Sequence, residues 1–217
     1  MIGGMSESLA SEAGTLVLSY LGLRKAVGII GITLPFVLLV GKLLVDGAGL
    51  PGSISAYYYT GMRNVLVGAL FAIAVFLISY RYGPQDNRAG TLAGVMAIGV
   101  ALFPTSPANP TAQQQTIGIV HLVCAGVFFL TLAYFSYFLF TRTDPARPPT
   151  RRKLQRNVVY RVCGVLIVVC LVLAVLSDNL LGRALVDALN PVFWLESVAI
   201  VAFGVSWLVK GETILRD

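Results

Sequence analysis

The chain has 217 residues, of which 57% are apolar and only 12% are charged, and its formal net charge is +6. Soluble domains carry about a quarter charged residues, so this composition excludes an ordinary water-soluble fold. The excess of Lys and Arg does not indicate a nucleic-acid partner, because the basic residues fall in short segments between apolar runs. Anionic lipid and membrane topology account for that placement. At this length we expect one compact unit.

Six apolar segments are candidates for membrane-spanning helices, each of which needs about 20 residues. Residues 1–25 are predicted to form a cytoplasmic or interfacial segment, with an amphipathic helix over 6–23, and residues 211–217 a cytoplasmic tail. The third span should end at the prolines that follow Phe103, because proline interrupts a helix. The fold class is therefore an all-α bundle of six transmembrane helices in one domain, residues 26–210. The spans are predicted at 26–47, 62–80, 89–105, 116–141, 158–178 and 190–210.

The basic residues concentrate on one side of this bundle. On that side, two basic residues precede the first span and two lie between the second and third spans. Six more fall within 142–156, and two lie at the end of the chain. The other side has only three basic residues. The positive-inside rule then places both termini in the cytoplasm. The Pro-rich segment 143–156 fits a topological anchor, and also a patch for lipid or a partner. The residues of the basic side are Arg24, Lys25, Arg81, Arg88, Arg142, Arg147, Arg151, Arg152, Lys153, Arg156, Lys210 and Arg216.

Small residues at four-residue spacing mark the faces on which membrane helices pack closely. Such rows predict that the third span is buried against its neighbours. The rows are Ala89, Ala93, Ala97 and Ala101 with Gly90 and Gly94 in the third span, and Asn64, Gly68 and Ala72 in the second. On the sixth span, the face that contains Ala199, Phe203 and Ser206 is also predicted to be buried. Three cysteines, at 124, 163 and 170, are interpreted as packing residues.

Polar side chains gather in the outer third of the predicted spans, on the side opposite the basic residues. Polar groups within a membrane usually face the bundle interior or a watery cavity. We therefore predict an outward-facing pocket bounded by the first, second, fourth and sixth spans. Its candidate residues are Lys42, Asp46, Ser55, Tyr57, Tyr58, Arg63, Asn64, His121 and Glu196.

Most of these residues also have a purely structural interpretation. Glu196 with Arg63 or Lys42 fits an ion pair that fixes helix register, and His121 fits a structural hydrogen bond. The tyrosines fit an aromatic belt at the headgroup level, and Lys42 fits a side chain that extends towards water. Between the last two spans, residues 177–189 are predicted to contain a short amphipathic helix, which either fills the connection or covers the pocket.

Five segments have a familiar pattern: Ser53–Tyr58 with Arg63 and Gly68, Ala101–Thr105, Asn157–Arg161, Phe193–Glu196 and Phe203–Gly211. They resemble segments of uncharacterised bacterial six-helix membrane proteins. The resemblance implies the fold and a position in a bacterial inner membrane, but no activity.

The sequence also limits the chemistry of the pocket. Membrane hydrolases similar to alkaline ceramidases hold zinc through three histidines, whereas His121 is the one histidine in this chain. We therefore expect no metal and no cofactor. No phosphate-binding Gly-x-x-x-x-Gly-Lys-[Ser/Thr] loop is present either, which disfavours transport driven by ATP bound to this chain.

The expected function is a non-catalytic binding or accessory role, with a membrane lipid or small amphiphile in the pocket. Arg63 would pair with an anionic headgroup, because its planar fork binds a phosphate bidentately. Glu196 and His121 would supply hydrogen bonds, and the tyrosines would frame the entrance. Two alternatives use the same groups: a proton-coupled transporter or channel, and a membrane-embedded hydrolase or transferase. The rows of small residues also suit a homo-oligomer or a membrane partner protein.

Overall fold

The structure, a computed structural model, describes residues 2–144, 146 and 148–214, with the backbone alone for residues 2–20, Asp178 and Arg183. The described residues form seven α-helices and no β-strand, which confirms the all-α prediction. A 3-10 helix, Ser55–Tyr59, precedes α2, and a π-helical turn, Phe135–Leu139, extends α4. The α-helices are α1 (Ile2–Val45), α2 (Arg63–Ser79), α3 (Pro84–Leu102), α4 (Ala112–Tyr134), α5 (Arg151–Leu181), α6 (Arg183–Leu189) and α7 (Pro191–Lys210).

Four helical segments are long and apolar enough to cross a membrane: Leu21–Val45, Ala112–Leu139, Arg151–Ser177 and Pro191–Lys210. Helix α2 is apolar but has only 17 residues, and α3 has 19 residues with a polar first turn. Many large apolar side chains on the long helices are exposed, including a row of valines along α5. Exposed apolar surface of this extent indicates a membrane protein.

The helices form a closed ring in which α1, α2, α3, α4 and α5 pack in sequence, followed by α7, which packs on both α5 and α1. Successive helices of the ring run antiparallel, so their connections alternate between two ends. The end that carries the 3-10 helix is here called the tyrosine end. There the Phe193 N–H donates to the Gly52 carbonyl at 3.1 Å. The opposite end, the basic end, carries Arg24 and Lys210, and the Arg24 guanidinium donates to the Lys210 carbonyl at 3.4 Å.

Local sequence signals account for several helix boundaries. Pro84 and Pro191 occupy the first turn of α3 and α7, where a missing backbone N–H costs nothing. At the start of α4, Thr111 and Gln114 form a capping box, with hydrogen bonds of 3.3 and 2.9 Å between the side chain of each and the backbone N–H of the other. Helix α3 ends at Leu102, immediately before the Phe-Pro segment, as predicted.

Close packing of α3 on α2 depends on the predicted rows of small residues. The four alanines of the row are at most 8% exposed, and a Cβ on Gly90 would lie 2.5 Å from the Leu77 carbonyl oxygen. The row on α2 does not pack within the chain, because Asn64 is exposed and nothing lies within 4 Å of a Cβ built on Gly68. Helix α2 instead turns the face containing Leu77 and Ala74 towards α3.

Helices α1 and α7 approach most closely at a pair of glycines. A Cβ on Gly204 would lie 2.7 Å from the Gly28 carbonyl oxygen, so neither position has room for a side chain. On either side of Gly204, Phe203 and Ser206 are buried, as predicted for this face of α7. Aromatic rings fill the ring interior towards the basic end, with centroids 5.1 to 5.9 Å from that of Trp207. This aromatic cluster consists of Tyr80, Phe135, Phe140, Phe203 and Trp207.

Three further predictions concern the ends of the helices. The predicted helix over 6–23 is not separate, since α1 runs without a break from Ile2. No proline interrupts residues 6–25, so the backbone continues into the apolar part of the helix. The predicted short helix after the fifth span is α6, and Ser177 belongs to α5. Arg147 and residues 215–217 of the predicted tail lie outside the described residues.

Candidate functional site

The interior of the helix ring contains a narrow cavity near the tyrosine end, here called the central cavity. About 50 Å³ of it is wide enough for the centre of a water molecule. Its polar wall residues are Ser55, Tyr58, His121 and Glu196, four of the nine residues predicted for the pocket. Its apolar walls include Leu34, Leu66, Leu70, Phe128, Leu132 and Phe203.

Glu196 connects α7 to the 3-10 helix at the rim of the cavity. Its Oε2 accepts hydrogen bonds from the backbone N–H groups of Ile54 and Ser55, at 2.7 and 3.4 Å. The first N–H groups of a helix have no carbonyl partner within that helix, so a carboxylate is a suitable acceptor. Glu196 pairs with neither Arg63 nor Lys42, so the predicted ion pair does not form. Glu196 thus positions the segment that carries the polar rim.

His121 lies on the wall formed by α4 and is only 3% exposed. Its Nδ1 lies 2.7 Å from the Phe103 carbonyl oxygen, at the end of α3. Because a carbonyl oxygen only accepts, Nδ1 carries the proton in this pair. This bond fixes the ring orientation and matches the structural interpretation of His121. The second ring nitrogen, Nε2, is not part of it.

Tyr58 and Arg63 form the exposed edge of the rim. The Arg63 guanidinium carbon lies 4.0 Å from the centroid of the Tyr58 ring, and Nη2 donates to the Tyr58 hydroxyl. This geometry combines a cation–π contact with a hydrogen bond. Since Tyr58 lines the cavity and Arg63 is exposed, the pair places a positive charge beside the rim of the cavity.

The other two tyrosines of the 3-10 helix have different environments. Tyr57 is fully buried, packs on Phe193 with ring centroids 6.0 Å apart, and has a hydroxyl without a hydrogen-bond partner among the described residues. Tyr59 is exposed, and its hydroxyl donates to the Thr105 carbonyl at 2.6 Å. Burial raises the pKa of Tyr57, and burial together with Tyr58 raises the pKa of Tyr59. Both phenols therefore remain protonated at neutral pH.

The remaining predicted pocket residues do not line the cavity. Lys42 donates to two backbone carbonyls of the turn at 47–48, each at 2.9 Å, and so closes the end of α1. Asp46 accepts a hydrogen bond from the Gly61 N–H at 2.9 Å. Asn64 is exposed. Lys42 and Asp46 therefore hold the connection between α1 and the 3-10 helix in place.

The sequence predicts the four polar residues of the cavity wall, but it does not predict which apolar residues line the cavity. Leu66, Leu70 and Ile73 repeat on α2 at helical spacing, and Phe128 and Leu132 do so on α4. That periodicity marks a buried helix face. It is the same for a face that packs against a neighbour and for one that lines a cavity, so it carries no signal for the site.

A second cavity lies between α4, α5 and α7 and is here called the lateral groove. About 500 Å³ of it is wide enough for the centre of a water molecule, and its walls are almost entirely apolar. It shares Ala125, Phe129 and Glu196 with the central cavity, so these side chains form a common wall. Gly126 also lines the groove, and a Cβ at that position would meet nothing within 4 Å.

Within the described part of the chain, no three His, Cys, Asp or Glu side chains come together in a way that would hold a metal ion. Comparison with known protein families, curated proteins and solved structures finds no match. The chemistry and shape of the two cavities are therefore the basis for a functional proposal.

Proposed function

We propose that this protein binds a membrane lipid or another small amphiphile in its central cavity. The observation that carries the proposal is the composition of the wall: Ser55, Tyr58, His121 and Glu196 lie towards the tyrosine end, and apolar side chains make up the rest and nearly all of the open surface. A mostly apolar cleft with a few convergent polar groups is the usual form of a small-molecule site. In the proposed complex the acyl chain lies in the apolar part and the headgroup lies at the rim.

The length and the closed end of the cavity support this arrangement. Along α4 its wall extends from His121 to Leu132, which corresponds to about 16 Å at the helical rise per residue. Beyond Phe203, the aromatic cluster around Trp207 fills the ring interior. A cavity that is closed at one end favours binding over conduction. The side chains at the rim would hold the polar part of the ligand, with the Arg63 cation beside an anionic group.

The lateral groove gives the proposed ligand a route from the bilayer. It opens between α4 and α5, and its common wall with the central cavity contains Ala125 and Phe129. Movement of the Phe129 ring would join the two cavities. An acyl chain could then enter sideways without leaving the apolar phase, so that its hydrocarbon is never exposed to water.

We also propose six membrane crossings in a bacterial inner membrane, with both termini in the cytoplasm. Helix α2 is about 26 Å long, close to the hydrocarbon thickness of a bilayer, and it lies beside longer helices in the closed ring. The concentration of Lys and Arg at the basic end supports a cytoplasmic position for that end.

Reporter fusions test this topology. Alkaline phosphatase is active only outside the cytoplasm, whereas green fluorescent protein exported in unfolded form is not fluorescent. We expect an active phosphatase when the fusion follows Ala108, between α3 and α4, and a fluorescent protein when it follows Ala146, between α4 and α5. The reverse result at both sites would contradict the proposed orientation.

Native mass spectrometry in maltoside micelles supplied with phosphatidylglycerol tests lipid binding. We expect a discrete phosphatidylglycerol adduct on the wild-type protein. Gly126→Phe should weaken this adduct by filling the lateral groove, and Arg63→Ala should weaken it by removing the cation at the rim. Gly68→Phe is the matched control, because Gly68 lies in a transmembrane helix, has the same open space at its Cβ position, and lines neither cavity.

Equal adducts on all four proteins would contradict the proposed site. An adduct that Gly68→Phe weakens as much as Gly126→Phe would indicate lipid bound non-specifically to the outer surface. If no adduct forms and reconstituted protein instead shows pH-dependent solute flux that Glu196→Gln abolishes, the transporter alternative replaces the proposal.

A further inference from the structure

The basic end contains buried hydrogen-bond donors that have no acceptor. Arg24 Nε, the Tyr80 hydroxyl and Trp207 Nε1 are all buried without a hydrogen-bond partner among the described residues. They belong to one cluster, since the Arg24 guanidinium carbon lies 5.4 Å from the Tyr80 ring centroid and the Tyr80 and Trp207 centroids are 5.1 Å apart. Buried polar groups in proteins are nearly always paired, so a group of three unpaired donors indicates a missing acceptor.

Two cations lie at the same place. The Arg24 guanidinium carbon and the Lys210 ammonium nitrogen lie 5.2 and 5.3 Å from the centroid of the Tyr82 ring. Arg24 is only 8% exposed, and its guanidinium donates to the Lys210 carbonyl at 3.4 Å. Two like charges beside one ring repel each other, and a bound anion would offset that repulsion and the cost of desolvation.

The carboxylates of this end offset these charges only from a distance. Asp86 acts electrostatically on Lys210, but its carboxylate is paired with Arg142 at 3.5 Å, and Glu212 is exposed. In the described ranges no carboxylate forms an ion pair with Arg24 or Lys210. The donors and the charges at this position therefore lack a hydrogen-bonded anionic partner among the described residues.

We propose that the basic end binds a phosphate group between Arg24 and Lys210, with Tyr80 and Trp207 as additional donors. A phosphate has several acceptor oxygens and a negative charge, so it can satisfy the donors and offset both cations at once. The planar guanidinium is suited to bind two of its oxygens, and the ammonium acts as a point charge. The exposed Tyr82 ring lies over both cations, so the ligand approaches from the end of the bundle beside this ring.

The phosphate has two possible sources, an anionic lipid headgroup or a soluble phosphate. Tryptophan fluorescence distinguishes them, because the chain has two tryptophans and the second, Trp194, is exposed at the tyrosine end. In the full-length Trp194→Phe protein, Trp207 is the sole reporter and lies within the proposed site. Phosphatidylglycerol and inorganic phosphate are titrated separately into this protein in maltoside micelles.

We expect a saturable change in Trp207 emission. Saturation by phosphatidylglycerol alone identifies a lipid headgroup, and saturation by inorganic phosphate identifies a soluble ligand. In the same background, Arg24→Gln should weaken the apparent affinity by about tenfold or more, because hydrogen bonds to a charged group are lost. Arg81→Gln is the matched control, since Arg81 is an exposed cation of the basic end that bonds to Thr91 instead.

The absence of a saturable response to both probes would overturn the proposal. So would an equal loss of affinity in Arg24→Gln and Arg81→Gln, which would indicate attraction to the general positive charge of this end. If Arg24→Gln does not fold, Tyr80→Phe removes one donor and keeps the ring packing. Unchanged affinity in Tyr80→Phe and in Lys210→Gln would then also overturn the proposal.

Discussion

Replacing Glu196 with Ala tests whether one carboxylate holds the rim of the central cavity in place. The substitution removes the 2.7 Å hydrogen bond to the Ile54 N–H and the 3.4 Å bond to the Ser55 N–H. A hydrogen bond to a charged group stabilises a protein by about 1.5–3 kcal/mol. Ile54 is only 3% exposed, so its N–H would be left buried without a partner, which costs about 1–3 kcal/mol.

These two contributions overlap, because the cost of the unpaired N–H is part of what the bond prevents. We therefore expect Glu196→Ala to lower the free energy of unfolding by about 2–4 kcal/mol. Glu196→Gln retains an oxygen acceptor without its charge, so the expected loss is about 1 kcal/mol. The measurement is the free energy of unfolding in mixed micelles of maltoside and dodecyl sulfate, followed by circular dichroism.

Glu212→Ala is the control, because it removes an exposed carboxylate at the opposite end of α7 and should change stability by less than about 0.5 kcal/mol. A loss in Glu196→Ala no larger than in this control would refute the reasoning. An equal loss in Glu196→Gln and Glu196→Ala would refute it in part, since the charge rather than the acceptor would then carry the effect.

Three further predictions concern packing and helix capping, and each is measured as a change in the free energy of unfolding. Gly204→Leu should destabilise by about 3 kcal/mol or more, because its side chain would meet the backbone of α1, whereas Gly68→Leu should cost less than about 0.5 kcal/mol. Thr111→Ala removes the cap of α4 and should cost about 1 kcal/mol. Ser206→Ala should cost more than Ser136→Ala. The Ser206 hydroxyl accepts the hydrogen bond from Ser136 and donates one to the Phe203 carbonyl, so Ser206→Ala removes two bonds and Ser136→Ala removes one. Equal losses in these two serine variants would contradict the hydrogen-bond assignment.

The sequence predicts several helix boundaries because these have a local cause. Prolines mark the start of α3 and α7. Apolar length predicts six spans, and four helices of the structure are long and apolar enough to cross a membrane. The alanine row of α3 also predicts its burial correctly, since close helix packing requires small side chains at regular spacing. The similar row at Asn64 and Gly68 does not pack within the chain, so spacing alone does not show towards which neighbour a helix face turns.

The site is less predictable because it depends on contacts between distant segments. Glu196 bonds to backbone N–H groups at the 3-10 helix, about 140 positions earlier in the chain. A sequence shows side-chain charges but not unpaired backbone donors, so a cationic partner such as Arg63 is the natural expectation. The buried donors of the basic end are undetectable for the same reason. Trp207 and Tyr80 resemble ordinary core residues until packing brings them together with Arg24.

The shape of the central cavity also bears on how a ligand would bind. An empty cavity costs about 24 cal/mol per Å³, so the roughly 50 Å³ open to water-sized groups corresponds to only about 1 kcal/mol. The ring therefore tolerates the empty cavity with little loss of stability. An acyl chain is wider than most of this space, so binding requires the walls to separate. The common wall with the lateral groove is suited to this movement, because Ala125 contributes little side-chain packing and Phe129 borders the groove, where the neighbouring Gly126 has open space at its Cβ position. Entry and accommodation of the ligand would then depend on the same displacement of Phe129, which links the rate of binding to its affinity.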